Sequence, residues 1–344
     1  WWHEDTKRGI RTRFSDDLLW LAYVVFDYIE YTADYGILDI ETSYLKGDLL
    51  IDGIDEKYDL FVESDIKESI YLHCIRAIKR ACNFGEHGLP KIGSGDWNDG
   101  FSTVGNKGQG ESVWLGFFLY DILNKFIKIC DFKSDTENAE LFKTTINKLR
   151  KSLNSEAWDG RWYKRAFCDD GTILGTIHNQ ECRIDNIAQS WSVISNAGDN
   201  DKKYIAMESL ENHLVDRNSG IIKLLDPPFE DGILKPGYIK AYLPGTRENG
   251  GQYTHSVAWY LMALIKTGYY DRAYRYFQMI NPATRAISPE TVKKYKVEPY
   301  VIAADIYSST TRSGRGGWTW YTGSAGWFYR VGLEVLLRIK EGKV

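Results

Sequence analysis

Residues 15–32 read SDDLLWLAYVVFDYIEYT, and the fold of the whole chain turns on how this run is read. Ser15 is an N-cap residue type ahead of an apolar run, and Leu18, Leu21, Val25 and Tyr28 recur at helical spacing. Apolar side chains also spill round the cylinder, as they do in a helix covered on most sides. Moving outward, the same period predicts helices near 66–83, 111–130, 137–153, 184–196, 201–214, 252–267, 270–279 and 323–340. Ile66, Ile70, Cys74 and Ile78 mark the second, and Phe328, Val331, Val335 and Ile339 mark the last.

The connections alternate in character. TADYGILD, NAGDNDKKY and KTGYYDRAY are short turns from one helix to the next, whereas 84–110, 154–182, 215–251 and 280–322 are long and rich in Gly, Trp and charge. Short loops at one end and elaborate loops at the other describe an all-α toroid of helical hairpins, with a site at the mouth where the long loops gather. The predicted helices fall short of the twelve that six hairpins need, so the ring is expected to be irregular or incomplete. With no linker or low-complexity tract, residues 1–344 read as one catalytic domain.

Composition narrows the function. Lys and Arg number 43 against 47 Asp and Glu, a net charge of -4, which offers no general attraction to nucleic acid or to an anionic membrane. Cys74, Cys82, Cys130, Cys168 and Cys182 are odd in number and scattered, pointing to neither a disulfide framework nor a zinc site and favouring a reducing, cytoplasmic setting. No apolar run approaches the ~18 residues of a membrane span. The opening WWHEDTKRG lacks a Met, so a domain cut from a longer chain is expected. Aromatic residues reach 14%, and Trp97, Trp158, Trp162, Trp191, Trp318 and Trp320 sit among Gly, Asp, Arg and Thr, where aromatic faces would suit sugar rings.

The chemistry is densest in GSGDWNDG, residues 93–100. Asp, Asn and Gly alone would make this a turn, but Asp96 and Asp99 flank Trp97 beneath a cluster of long loops. A carboxyl against an aromatic wall loses solvation and holds its proton, as a general acid for glycosidic cleavage must. In a hydrolase a second carboxylate would act across the sugar, and Asp16, Asp17, Asp185 and Glu248 are candidates. Basic and anion-binding groups occupy the same segments: Arg11 and Arg13 precede the SDD triplet, and RENGGQYTH carries Arg247, Glu248 and His255. Thr322 and Gly323 open the last helix, where free N–H groups attract an anion. Singly these read as a solvated face, a core histidine and an N-cap; together they suggest a phosphate pocket opposite one carboxylic acid.

At this point the chain resembles the glycoside hydrolase family 94 phosphorylases, which include cellobiose and chitobiose phosphorylases and the phosphorylase-like domain of cyclic β-1,2-glucan synthases. The matching segments are WWHEDTKRGIRTRFSDDLLWL, HGLPKIGSGDWNDGFSTVGNKGQGESVWLGFFLYD, ECRIDNIAQSW, PGYIKAYLPGTRENGGQYTH, YKVEPYVIAADIYS and GRGGWTWYTGSAGW, in order across nearly the whole chain and closest in wording to the glucan synthase branch. The resemblance implies an (α/α)6 barrel and reversible, inverting phosphorolysis yielding α-glucose 1-phosphate, with no cofactor beyond inorganic phosphate as co-substrate. It implies Asp99 as the general acid, Arg11, His255, Thr322 and Gly323 as phosphate ligands, Asp17 with Asp16, Arg13 and Trp97 in the donor subsite, and Arg247 and Glu248 between donor and acceptor. Ala304 stands near the position where cellobiose-type members carry a Gln, which leans toward β-1,2-linked gluco-oligosaccharides. The β-sandwich that precedes this barrel and the β segment that follows it are missing from the sequence, so neighbouring domains, or a homodimer, are expected partners. Two alternatives remain open: an inverting hydrolase with Glu248 or Asp185 as base about 6.5–9.5 Å from the acid, and a catalytically silent sugar-binding domain.

Overall fold

The apolar run forms a helix from Leu19 to Thr32 (α1). Ser15 does not cap it: Leu18 holds the N-cap position without a side-chain bond, while Ser15 donates to the Gly95 carbonyl from its N–H at 3.1 Å and its hydroxyl at 3.2 Å. The helix entrance is thereby tied to the Gly93–Gly100 loop. The inward face carries Leu19, Ala22, Tyr23, Val25, Phe26 and Ile29, and Leu18, Leu21 and Tyr28 are exposed. The expected stripe is about one residue out of phase, because a run that is apolar on nearly every side does not fix which face is covered.

The computed structural model describes residues 2–320 and 322–337 of the chain, so Ile339 and the end of the last expected helix lie outside the described residues. After α1 come α2 (Ile70–Ala81), α3 (Val113–Phe132), α4 (Thr136–Ser155), α5 (Asn186–Ile194), α6 (Asn200–Leu214), α7 (Thr254–Lys266), α8 (Tyr270–Ile280), the short α9 (Pro282–Arg285) and α10 (Pro289–Tyr295), and α11 (Ser324–Gly332). All the expected helices are present, and α9 and α10 add structure inside the 280–322 connection. No helix among the described residues is long and apolar enough to cross a membrane.

The chain is not all-α. Trp2–His3, Arg8–Thr12 and Glu56–Leu60 form a three-stranded antiparallel sheet, and Glu41–Lys46 pairs with Val62–Ser69. TADYGILD therefore leads into a two-stranded antiparallel sheet rather than directly to α2, and Ile66 is exposed on its second strand. The stop signal is Ser69, whose hydroxyl accepts the Leu72 N–H at 3.4 Å and starts α2 there.

The helices pair as α1/α2, α3/α4, α5/α6 and α7/α8, and α1, α3, α5, α7 and α11 pack in succession as an inner layer. Arg330 of α11 closes the circuit, reaching Tyr23 Oη at 3.0 Å and Asp27 Oδ2 at 3.1 Å on α1. Because even-numbered helices lead back through 84–110, 154–182 and 215–251, those long segments collect at one mouth.

Every inner helix sends an aromatic ring to the centre. Trp20 lies 4.5 Å from Phe118 and 6.4 Å from Trp327 between centroids, Phe118 lies 5.2 Å from Trp191, and Trp259 lies 5.3 Å from Trp191 and 5.7 Å from Trp327. Such edge-to-face and offset pairs hold large buried area in fixed orientations. Trp162 and Trp191, expected among sugar-facing aromatics, are only 1% and 0% exposed and belong to the core. Their polar neighbours serve the fold instead: Trp162 Nε1 donates to the Gly175 and Arg183 carbonyls, each at 3.0 Å. Trp318 and Trp320 are exposed.

Candidate active site

The Gly93–Gly100 loop is shaped by close approach. Gly93 has φ +64°, and a Cβ there would meet the Arg13 carbonyl oxygen at 2.5 Å. At Gly95 (φ +149°) it would meet the Phe14 ring at 3.0 Å and the Asp99 Cα at 3.2 Å. The two acids between the glycines have separate tasks. Asp96 is buried and takes both prongs of the Arg165 guanidinium at 2.7 Å, the Ser112 hydroxyl at 2.6 Å and the Asn98 N–H at 3.0 Å. Asp99 is exposed at the mouth. The expected wall, Trp97, packs elsewhere: its ring lies 5.4 Å from Tyr253, 5.3 Å from His255 and 5.1 Å from Trp259.

Around Asp99 stand Tyr238, Tyr242, Tyr253 and Glu248. Burial first, then the Asp99 carboxylate, push the Tyr238 hydroxyl above its ordinary range. Glu248, 6% exposed, is also pushed up, by burial foremost and by Asp99 in part, against the pull of Arg247 and the Tyr253 hydroxyl. Arg247 Nε lies 3.5 Å from Glu248 Oε2, its guanidinium is 5.0 Å from the Tyr242 ring, and its N–H donates to Asp305 Oδ2 at 3.2 Å. Asp305 also takes the Trp318 N–H at 2.9 Å, pinning two long segments together.

A second group of the expected residues gathers around His255, on the far edge of the Trp97 ring. His255, on the first turn of α7, accepts the Trp97 indole N–H on Nδ1 at 3.3 Å, which leaves the ring proton on Nε2. That Nε2 is buried and has no hydrogen-bond partner among the described residues. Burial among Trp97, Trp259 and Trp327 holds the imidazole far below its usual value, at about 3, so it is a neutral donor at working pH. A Cβ on Gly323 would stand 3.6 Å from its Cε1, so the histidine faces the entrance of α11. There Thr322 Oγ1 accepts the Ser324 N–H at 3.1 Å and donates to Ser324 Oγ at 2.9 Å.

The remaining expected residues lie on the strand segment that leads into α1. Asp16 is buried and accepts the Trp20 indole N–H at 2.9 Å. Asp17 is exposed and accepts the Thr12 hydroxyl at 2.7 Å. Arg13 donates to the carbonyls of Ile54, Leu50 and Ile51 at 3.0, 3.2 and 3.1 Å, and Arg11 reaches the Gly47 carbonyl at 3.4 Å with its guanidinium over Phe61. Among the described residues, no hydrogen bond, ion pair or ring contact joins Arg11 to His255, Thr322 or Gly323. Asp185 is fully buried as the N-cap of α5 and lies 3.5 Å from Arg165, which removes it as a base facing water. Arg165, Ser112, Tyr238, Tyr253 and Asp305 were not singled out by sequence. Ser112, Tyr238, Tyr253 and Asp305 lie inside the matching segments quoted above, which is a signal of place but not of role, whereas Arg165 lies in none of them.

Burial, then the nearby Asp96, push Asp16 up to about 8. Between its ordinary range and that value, the unfolded chain gives up a proton that the folded chain keeps, so folding weakens as pH rises. The melting temperature of the native chain should therefore fall relative to Asp16→Asn between pH 5 and 8. Parallel melting curves across that range would refute the burial argument.

The family model for the glycosyl hydrolase 94 superfamily, catalytic domain, matches residues 2–338. The chain is 44% identical to the cyclic beta-(1,2)-glucan synthase NdvB of Rhizobium meliloti (strain 1021), over 99% of this chain and 12% of that protein. It is 27% identical to the solabiose phosphorylase of Paenibacillus borealis, over 96% of this chain and 40% of that one. It is 25% identical to the N,N'-diacetylchitobiose phosphorylase of Vibrio furnissii, over 98% and 40%. The chain thus spans two fifths or less of these relatives' lengths. With a family match running almost end to end and 44% identity across nearly the whole chain, the chain belongs to the glycosyl hydrolase 94 superfamily, catalytic domain.

Proposed function

We propose that the chain is a glycoside phosphorylase that cleaves β-glucosidic bonds with inorganic phosphate, inverting the anomeric centre and releasing α-glucose 1-phosphate. The observation that carries this reading is the surroundings of His255: a neutral, buried Nε2–H with no partner among the described residues, beside Gly323 and Thr322 at the entrance of α11. Donors of this kind suit an oxyanion, whereas a hydrolase would need a base over a water there. A phosphate oxygen attacks C1 from the side opposite the leaving sugar, the C1–O bond breaks, and the Asp99 carboxyl gives its proton to the departing oxygen. Arg247 and Glu248, joined to Tyr253, bind hydroxyls at the junction of donor and acceptor; Asp16 and Trp97 line the donor side. Likeness to the NdvB glucan synthase and the Ala304 position support β-1,2-linked gluco-oligosaccharides as substrates. The (α/α)6 count, cytoplasmic action and adjoining domains belong to the same proposal.

Incubated with phosphate and β-1,2-linked glucobiose, the chain should release glucose 1-phosphate. Release of free glucose at a rate independent of phosphate would favour the hydrolase, with Glu248 as base, and no turnover beside measurable sugar binding would favour the silent domain. His255→Ala should raise the phosphate KM about 10–100-fold, the worth of one strong hydrogen bond to a charged group. An equal loss in affinity for the sugar would make His255 structural.

A further inference from the structure

Asp99 owes its place to residues that do not face the cleft. Arg165 is 0% exposed and holds the loop on both sides of the acid. Its two terminal nitrogens meet the two Asp96 oxygens at 2.7 Å each, and the face of its guanidinium lies 4.8 Å from the Phe101 ring centroid. The loop from 96 to 101 is thus gripped at its two ends, with Asp99 between them.

The grip is itself anchored. The Arg165 N–H donates to the Leu174 carbonyl at 2.8 Å, and its carbonyl accepts the Val113 N–H at 3.2 Å where α3 begins. Ser112, the N-cap of α3, donates to Asp96 at 2.6 Å, and Asp185, the N-cap of α5, lies 3.5 Å from Arg165 Nε. One planar side chain therefore fixes the loop against the starts of two inner helices. Neither a lysine nor a single hydrogen bond offers that two-pronged geometry.

We propose that Arg165 is a positioning residue for the reaction: by clamping Asp96 and Phe101 it sets the direction in which the Asp99 carboxyl meets the leaving oxygen. The assignment rests on the reading of Asp99 as the general acid. It acts through the aim of the acid rather than through substrate contact, so it affects proton delivery and leaves sugar binding alone.

The test compares two leaving groups. β-1,2-linked glucobiose expels a sugar alkoxide and needs the proton, whereas 2,4-dinitrophenyl β-glucoside expels a phenolate that departs unprotonated. Arg165→Lys keeps the buried charge and removes the fork. With phosphate as the acceptor, kcat on glucobiose should fall about 30–100-fold with KM nearly unchanged, and kcat on the dinitrophenyl substrate should fall less than about 3-fold, in line with the loss from misaligning a reacting group by roughly an ångström. Equal losses on both substrates, or none, would overturn the proposal. Should Arg165→Lys melt below the assay temperature, Asp96→Asn carries the same expectation and the same refutation. Asp99→Asn separates the two readings: if it shows no leaving-group selectivity, the acid is misassigned; if it does and the Arg165 and Asp96 variants do not, only the positioning role falls.

Discussion

Asp99→Asn will lower phosphorolysis of an unactivated β-glucoside about 10²–10⁴-fold, the usual contribution of a positioned general acid. The amide has nearly the shape of the carboxyl but no acidic proton, and Asp99 is exposed, so the melting temperature should hardly change. Asp96→Asn makes an instructive contrast. It neutralises one partner of the buried pair with Arg165, so stability should fall together with rate, because removing one charge of a buried pair strands the other. Steady-state rates and thermal melts of the two variants, measured together, check the division of labour between the acids. Near-normal turnover by Asp99→Asn would remove it from the mechanism.

Trp259→Ala will destabilise the domain by about 3–5 kcal/mol, the range for deleting a large buried aromatic. The residue is 0% exposed and lies within 6.5 Å of Trp20, 5.9 Å of Trp114, 5.3 Å of Trp191 and 5.7 Å of Trp327 between ring centroids. It also backs His255 at 4.5 Å and Trp97 at 5.1 Å. The cavity left behind would open between the inner helices and directly under His255. Phosphate affinity should drop along with the denaturant midpoint, and a loss under about 1 kcal/mol would show that the helices do not depend on this aromatic centre.

Much of this was legible in the sequence because it is local or periodic. Helical spacing gave the inner and outer helices, and the alternation of short and long connections identified the mouth. GSGDWNDG and RENGGQYTH held the candidate acid, the histidine and the Arg247–Glu248 pair within short quoted stretches. What escaped depends on partners far apart in the chain. Arg165 is a single cation without a motif, and its meaning comes from Asp96, 69 residues away. Asp305 looks like any acid after an alanine pair until the Arg247 and Trp318 N–H groups are seen to converge on it. Arg13, read as a sugar ligand, has its donors engaged by the carbonyls of Leu50, Ile51 and Ile54, a use of guanidinium that no side-chain pattern announces. The phase of α1 was hidden for the opposite reason, since a run with too many apolar residues marks no single face.

The clasp of Arg330 on Tyr23 and Asp27 has a temporal side. Synthesis delivers α1 and the Asp99 loop early and α11 late, and Thr322 and Gly323 arrive only with α11. On the proposed reading, a growing polypeptide would carry its proton donor long before it owns a seat for the oxyanion, and would stay inert until the last inner helix docks against the first.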